Sequence, residues 1–172
     1  MSGSSNASEP NPFTDAEFDA WRGLIRLRES VTREIDQRLQ EAGEISLDDY
    51  GVLITLVGLP GMRLRMSDLG ARRMLTPSGI TRAVMRLEER GLVRREADPE
   101  DGRGALAALT RDGLAALRRA QLVHHATVRE LYLDRLNERE QRQLAQLFEK
   151  ALPGVVSSAE WPTPRAAPSR AL

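Results

Sequence analysis

The sequence predicts a mainly α-helical protein with six helices and one two-stranded β-hairpin. Three observations lead to this prediction. Helix start and stop signals recur along the chain, apolar residues follow helical spacing between them, and one Pro/Asp/Gly cluster separates two short runs with strand character. Aromatic residues make up only 4% of the 172 residues, which favours aliphatic packing between helices. The length suits one ordinary domain with helical extensions.

The first helix is predicted to begin after Thr14 and to end near Gly43. Thr14 and Glu17 form a capping box, which is a sequence-level sign of a helix start. The apolar residues that follow at helical spacing are Phe18, Trp21, Leu24, Ile25, Val31, Ile35 and Leu39. A helix of about 30 residues spans about 43 Å, and one narrow apolar stripe of that length is typical of packing against a long helix of another subunit.

Similar signals predict five more helices and the hairpin. The expected N-caps are Ser46, Ser67, Thr76, Thr110 and Asn137, and the expected stops are Pro60, Gly91 and Pro153. The third helix is short, over 68–74, and the fifth extends to 135. Two short runs around the cluster at 98–104 are typical of a β-hairpin. A short helix, a turn, a second helix and a two-stranded wing together form a winged helix-turn-helix, here carried by long dimerisation helices.

Composition limits the function classes. With no Cys, the chain has no disulfide and no thiolate metal site, and we expect no metal and no cofactor. It also lacks a glycine-rich phosphate cradle and a catalytic arrangement of side chains, so we expect that it is not an enzyme. No apolar run is long enough to span a membrane and no signal peptide is visible, which predicts a cytoplasmic protein without a membrane partner. The expected organisation is a disordered tail 1–12, a dimerisation helix 13–44, a winged helix-turn-helix 45–111, dimerisation helices 112–156 and a disordered tail 157–172.

The helix predicted over 77–90 separates into an apolar face and a polar face. At 100° per residue, Val84, Leu87 and Gly91 fall within about 40° of Ile80, which marks the buried side. The residues that point the other way are Ser78, Arg82 and Met85, flanked by Thr81 and Arg86. Arginine can bridge guanine O6 and N7, and hydroxyls can bind bases or phosphates. The polar face is therefore predicted to contact DNA, with a merely solvated face as the alternative.

Positive charge is concentrated around this helix. Between Met62 and Arg95, nine Arg stand against three acidic residues, an excess of +6 in a chain of net charge +0. A polyanionic partner would relieve the repulsion within such a cluster. The hairpin tip, Asp101-Gly102-Arg103, projects one arginine that would suit the negative potential of a narrow minor groove. The alternative is a surface turn with an idle arginine.

The run over residues 64–113 resembles the DNA-binding core of the MarR (multiple antibiotic resistance regulator) family. Five motifs occur in order and with the spacing of that family. They are Ser67-Asp68-Leu69, Thr81-Arg82, the stretch from Arg86 to Val93, Asp101-Gly102-Arg103, and Leu109-Thr110-Arg111-Asp112-Gly113. With the order of helices, the resemblance extends over residues 14–153.

The resemblance implies a homodimer whose first, fifth and sixth helices interlock. The recognition helices, 77–90, would enter the major groove of a palindromic operator, and the wings, 97–104, the minor groove. Carried over by position, Thr81, Arg82 and Arg86 would contact the major groove or phosphates, and Arg103, placed by Asp101, the minor groove. The full set of expected DNA contacts is Ser67, Thr76, Ser78, Gly79, Thr81, Arg82, Arg86, Arg94, Asp101 and Arg103.

The resemblance also implies a repressor, in some members an activator, that a small phenolic or other lipophilic compound relieves. Family pockets lie between the dimerisation helices and the DNA-binding lobe. The candidate lining residues are Trp21, Ile25, Tyr50, Leu53, His124 and His125. The first four fall at core spacing, so ordinary packing is the alternative, and adjacent histidines on a helix cannot both point inward. The competing function is a helical dimer that no longer binds DNA and acts through a protein partner.

Overall fold

A computed structural model of the chain describes residues 13–99 and 104–156. Its elements in order are α1 (Asp15–Glu41), α2 (Leu47–Val57), β1 (Arg63–Arg65), α3 (Met66–Arg72), α4 (Pro77–Glu89), β2 (Val93–Ala97), β3 (Ala105–Leu109), α5 (Arg111–Leu131) and α6 (Glu138–Ala151). The predicted mainly helical fold with six helices is confirmed. Both predicted tails and the tip of the wing lie outside the described residues. Within 13–99 and 104–156, none of the helices combines the length and the apolarity that a bilayer crossing requires.

Most helices begin at the predicted caps. The capping boxes at the starts of α1 and α6 are both formed. The side chains of Ser46, Thr76 and Thr110 each accept a hydrogen bond from a backbone N–H three residues later. Gly43 and Gly91 follow α1 and α4 with φ angles of +69°, a conformation that glycine adopts without strain. Local side-chain chemistry therefore sets these helix boundaries.

The prediction that Ser67 caps the third helix is wrong. α3 starts at Met66, directly after β1, with Arg65 at the N-cap position and no side-chain capping bond. The Ser67 hydroxyl instead donates to the Asp68 carboxylate at 3.3 Å. Because β1 is held by pairing with β3, the chain enters α3 in a fixed direction without a capping side chain. The fifth helix is also shorter than predicted, since the chain leaves the α conformation at Tyr132 and forms a 3₁₀ turn.

The wing belongs to a three-stranded antiparallel sheet and not to a two-stranded hairpin alone. β3 is the central strand, with β2 on one side and β1 on the other. Val93 lies opposite Leu109 in the predicted hairpin, and Leu64 lies opposite Ala107 in the additional pair. Because β3 has a neighbour on each edge and is largely buried, its sequence is continuously apolar.

The hydrophobic core lies in the winged lobe. It is formed by α2, α3, α4, the sheet, the first half of α5 and the C-terminal end of α1. The largest fully buried apolar side chains are Leu39, Ile45, Val52, Leu53, Leu56, Leu69, Val84, Leu87, Val93 and Leu117. Within the described chain, the N-terminal half of α1 and the whole of α6 contribute no buried side chain. The lobe thus has its own core, whereas the ends of the long helices are exposed.

The start of α5 packs tightly against the end of α4. The Thr110 amide donates to the Leu92 carbonyl at 3.1 Å, and the Thr110 hydroxyl donates to the Gly91 carbonyl at 2.7 Å. The same hydroxyl accepts a bond from the Gly113 amide at 2.9 Å. A Cβ atom at Gly113 would overlap the Leu92 carbonyl oxygen. The Leu-Thr-x-x-Gly motif therefore joins α5 to the exit of α4, and its glycine permits the close approach.

Candidate nucleic-acid interface

The predicted division of α4 into two faces is confirmed with one exception. Its buried residues are Ile80, Ala83, Val84 and Leu87. Its exposed residues include Ser78, Thr81, Arg82, Met85, Arg86 and Glu89. Gly91 was expected on the buried side but is exposed, because it lies beyond the helix in the left-handed conformation. The exposed face carries all four of the α4 polar side chains that the sequence assigns to DNA.

The hydroxyl groups at the start of α4 are partly engaged in the helix itself. The Thr76 hydroxyl oxygen accepts from the Gly79 amide at 3.2 Å and lies 3.3 Å from the Ser78 hydroxyl. The Thr81 hydroxyl donates to the Pro77 carbonyl at 2.8 Å. Its single hydrogen is therefore occupied, while the residue as a whole is exposed. At Gly79 a Cβ atom would lie only 3.1 Å from the Thr76 hydroxyl oxygen, so a larger residue would crowd the cap.

The two arginines of the exposed face differ in their surroundings. Arg82 is exposed and has no ion pair within the residues that the structure describes. Arg86 places Nη2 2.9 Å from Oδ1 of Asp49 on α2. The Asp49 side chain is only 7% exposed, whereas that of Arg86 is 51% exposed. Arg86 therefore fastens α4 to α2 with one part of its guanidinium group and leaves another part in solvent.

We expect Arg86→Met to lower the free energy of unfolding by about 2 kcal/mol, and Asp49→Asn to lower it by about 1 kcal/mol or less. Loss of the guanidinium leaves the nearly buried Asp49 carboxylate without its partner, whereas a half-exposed arginine can be hydrated when the carboxylate is lost. Urea unfolding of both single variants measures the asymmetry. Arg82→Met is the matched control and is expected to stay within about 0.5 kcal/mol of the wild type. Equal losses for Arg86→Met and Asp49→Asn would contradict this account.

The local excess of positive charge is smaller than the sequence window indicated. Five of its arginines pair with acidic residues, namely Arg63 and Arg94 with Glu96, Arg65 with Asp98, Arg86 with Asp49, and Arg95 with Glu88. Three of these acidic residues lie outside the window, Glu96 and Asp98 just after it and Asp49 well before it, and counting them reduces the excess from +6 to +3. Arg82 and Arg90 remain exposed with no ion pair among the described residues. The exposed positive charge is therefore confined to a few side chains.

The other expected DNA contacts divide into three groups. Ser67 and Arg94 are exposed, but both are bonded to acidic neighbours, Arg94 to Glu96 at 2.6 Å. Thr76, Ser78 and Gly79 lie at the start of α4. Asp101 and Arg103 lie outside the described residues. The stem below them is held by an ion pair of 2.6 Å between Arg65 and the buried Asp98, which joins β1 to the end of β2.

The structure brings together only some of the six candidate effector residues. Tyr50 is buried and stacks on His124, with ring centroids 4.7 Å apart and an interplanar angle of 13°. His125 meets His124 edge-on at 5.7 Å and is exposed. Leu53 is fully buried in the core, Trp21 is 54% exposed and Ile25 is partly buried. Two concavities of the described chain, about 560 and 400 Å³, are lined by other residues of α1, α2 and the 131–135 region.

His124 is expected to make the stability of the protein depend on pH. Burial lowers its pKa from the ordinary value of 6.5, with a further contribution from His125. Its Nδ1 atom is buried without a hydrogen-bond partner among the described residues. Below pH 6.5 the unfolded chain therefore takes up a proton at His124 more readily than the folded chain does. The free energy of unfolding thus falls as the pH decreases below 6.5. Thermal unfolding between pH 7 and 5 should show a smaller decrease for His124→Gln than for the wild type. His125→Gln is the control, and an equal effect of the two variants would contradict the assignment.

Comparison with known proteins shows clear similarities. The profile of the MarR family matches residues 44–104. The HTH-type transcriptional repressor Rv2887 of Mycobacterium tuberculosis is 30% identical over 127 residues, which cover 74% of this chain and 88% of that protein. Sco3205, a MarR family transcriptional regulator from Streptomyces coelicolor with a crystal structure in complex with DNA, is 35% identical with a TM-score of 0.78, over 90% of this chain and 98% of its own. CouR from Rhodococcus jostii RHA1, solved bound to p-coumaroyl-CoA, is 28% identical with a TM-score of 0.66, over 78% of this chain and 93% of its own.

Proposed function

Because this chain belongs to the MarR family of DNA-binding transcriptional regulators, we propose that it acts as a homodimeric repressor on a palindromic operator. In this proposal α4 enters the major groove, and the wing at 97–104 enters the minor groove. The observation that supports the assignment of α4 is the position of Arg82. Arg82 stands on the exposed face of a capped helix, one turn from the N-terminus, with no acidic partner among the described residues.

A second copy of the chain is the partner that the long helices require. Apolar residues of α1 and of the C-terminal region are exposed in the single chain, among them Phe18, Trp21, Leu24, Leu27, Leu147, Leu152, Val155 and Val156. On α1 they recur every three residues, so each lies about 60° around the helix from the one before, and the four form a band that winds around α1. An apolar surface of this extent is costly in water and is typical of an interface. We therefore assign these surfaces to the dimer, and the two α4 helices to adjacent major grooves about 34–36 Å apart.

Trp21→Glu is expected to convert the protein from a dimer into a monomer and to weaken operator binding by at least about 100-fold, since one half-site alone then supplies the contacts. The variant places a charge where the large apolar surface of α1 would be buried. Sedimentation velocity measures the oligomeric state. Met74→Glu is the matched control for the sedimentation measurement alone, because it introduces the same charge at an exposed apolar residue away from the long helices but next to the expected DNA contact Thr76. A wild-type protein that sediments as a monomer would contradict the proposed dimer.

The proposed function is tested by selecting duplexes from a random-sequence DNA pool with the full-length protein. We expect enrichment of a palindrome. The affinity of the protein for this palindrome should fall at least about a thousandfold between 50 and 200 mM salt, as expected if the dimer makes six or more phosphate contacts. No enrichment, together with weak binding that does not respond to salt, would favour the competing function of a helical dimer that acts through a protein partner.

We further propose that an aromatic compound relieves repression by binding where α2 meets α5. The ligand-bound structure of CouR supports a small-molecule effector. The stacked rings of Tyr50 and His124 place two aromatic groups at this junction, and the buried Nδ1 atom of His124 has no hydrogen-bond partner among the described residues. In the proposed dimer, Trp21 and Ile25 of α1 would complete the site.

A further inference from the structure

We propose that Met85 recognises the methyl group of a thymine next to the base that Arg82 contacts. This inference rests on the proposed entry of α4 into the major groove and adds a determinant of sequence specificity to it. It follows from the position of one apolar side chain on an otherwise polar face.

Met85 does not serve the hydrophobic core. Of the four methionines within the described residues, Met62 and Met66 pack against the core cluster, whereas Met74 and Met85 do not. Met85 is 44% exposed on α4, and Met74 is 94% exposed in the turn before α4. Met85 is thus nearly half exposed and is not among the buried residues of α4, which are Ile80, Ala83, Val84 and Leu87.

Met85 shares a surface with two expected DNA contacts. It follows Arg82 by three residues and Thr81 by four, so the three side chains lie on one side of α4. The Thr81 hydroxyl donates to the Pro77 carbonyl, and Thr81 precedes Met85 by four residues, the spacing at which side chains of a helix are neighbours. The result is a small apolar strip next to a guanidinium group that has no ion pair among the described residues.

The major groove offers one apolar group to such a strip, the C5-methyl of thymine. Methionine is flexible and polarisable, and it can follow the exact position of a methyl group. Arg82 and Met85 are separated by about 4.5 Å along the helix axis, and successive bases of one strand by about 3.4 Å. Their targets are therefore the same or neighbouring base pairs, and we expect a thymine within one base pair of the guanine that Arg82 contacts.

The experiment replaces thymines of the selected duplex by deoxyuridine, which removes only the C5-methyl group. Each replacement is made at one symmetric pair of positions, and dissociation constants are measured by fluorescence anisotropy at constant salt. For the wild type we expect one thymine position at which deoxyuridine lowers the affinity about fourfold per half-site. A fourfold loss corresponds to about 0.8 kcal/mol, the free energy of burying one carbon group. Met85→Gln should bind the thymine and the deoxyuridine duplexes equally at that position. Met74→Gln, the matched control, should discriminate like the wild type.

The outcomes separate this inference from the function on which it rests. Unchanged discrimination by Met85→Gln, or loss of discrimination by Met74→Gln alone, would overturn the role of Met85. So would a wild-type protein that binds its palindrome with strong salt dependence and is indifferent to every thymine methyl. Failure to enrich any duplex would overturn the proposed function and, with it, this inference.

Discussion

Arg82→Ala is expected to weaken binding to the operator by about 1–3 kcal/mol per half-site, a loss of about 5- to 150-fold for each. Arg82 is exposed on α4 and has no ion pair among the described residues, so its guanidinium group is available to a base. A bidentate contact to guanine carries sequence information, whereas a phosphate contact does not. The loss should therefore be much larger on the operator than on unrelated DNA.

Titration of the operator and of an unrelated duplex of equal length measures this difference. Arg118→Ala is the matched control, because it removes the same charge from an exposed arginine of α5. Equal losses on both duplexes would show that Arg82 contacts phosphate only. If Arg82→Ala bound the operator like the wild type, the assignment of the exposed face of α4 would be wrong.

Gly113→Ala is expected to destabilise the protein by about 3 kcal/mol or more, the upper end of the cost of overpacking. The added Cβ atom would overlap the backbone carbonyl oxygen of Leu92, which cannot turn away as a side chain can. Moving that carbonyl would also disturb its hydrogen bond from the Thr110 amide. Since these contacts join α5 to the exit of α4, the variant should lose operator binding together with its fold.

Urea unfolding at a fixed protein concentration checks this expectation. Gly23→Ala is the control, because a Cβ atom at that helical glycine meets nothing within 4 Å. It should leave stability unchanged or raise it by about 0.5–1 kcal/mol, since alanine favours the helix over glycine. A Gly113→Ala variant as stable as the Gly23→Ala variant would show that the loop after α4 adjusts freely.

The features that the sequence predicts correctly depend on interactions between neighbouring residues. The caps at Thr14, Ser46, Thr76, Thr110 and Asn137 are bonds across three positions of the chain. The two faces of α4 follow from the helical repeat. Helix caps and helix faces can therefore both be predicted from a short window of sequence.

The features that the sequence does not predict depend on distant partners. β1 contains only three residues and is a strand because β3 lies beside it. Asp49 meets Arg86 across 37 positions, and the acidic partners of Arg63 and Arg65 come from the hairpin. A count of charges in one window cannot include such partners, so it overstated the positive charge. For the same reason, spacing could not show that Tyr50 of α2 stacks on His124 of α5.

The lack of buried side chains in α6 has a consequence for the stability of a subunit that has dissociated from the proposed dimer. A helix of 14 residues is marginal in water by itself, and within the described chain α6 has no core to stabilise it. In the proposed homodimer, separation of the two copies and melting of this segment would then be one event, and the apparent melting temperature would rise with protein concentration. In a cell, a newly synthesised chain would then be open to proteolysis in this unfolded segment until it associated with a second copy.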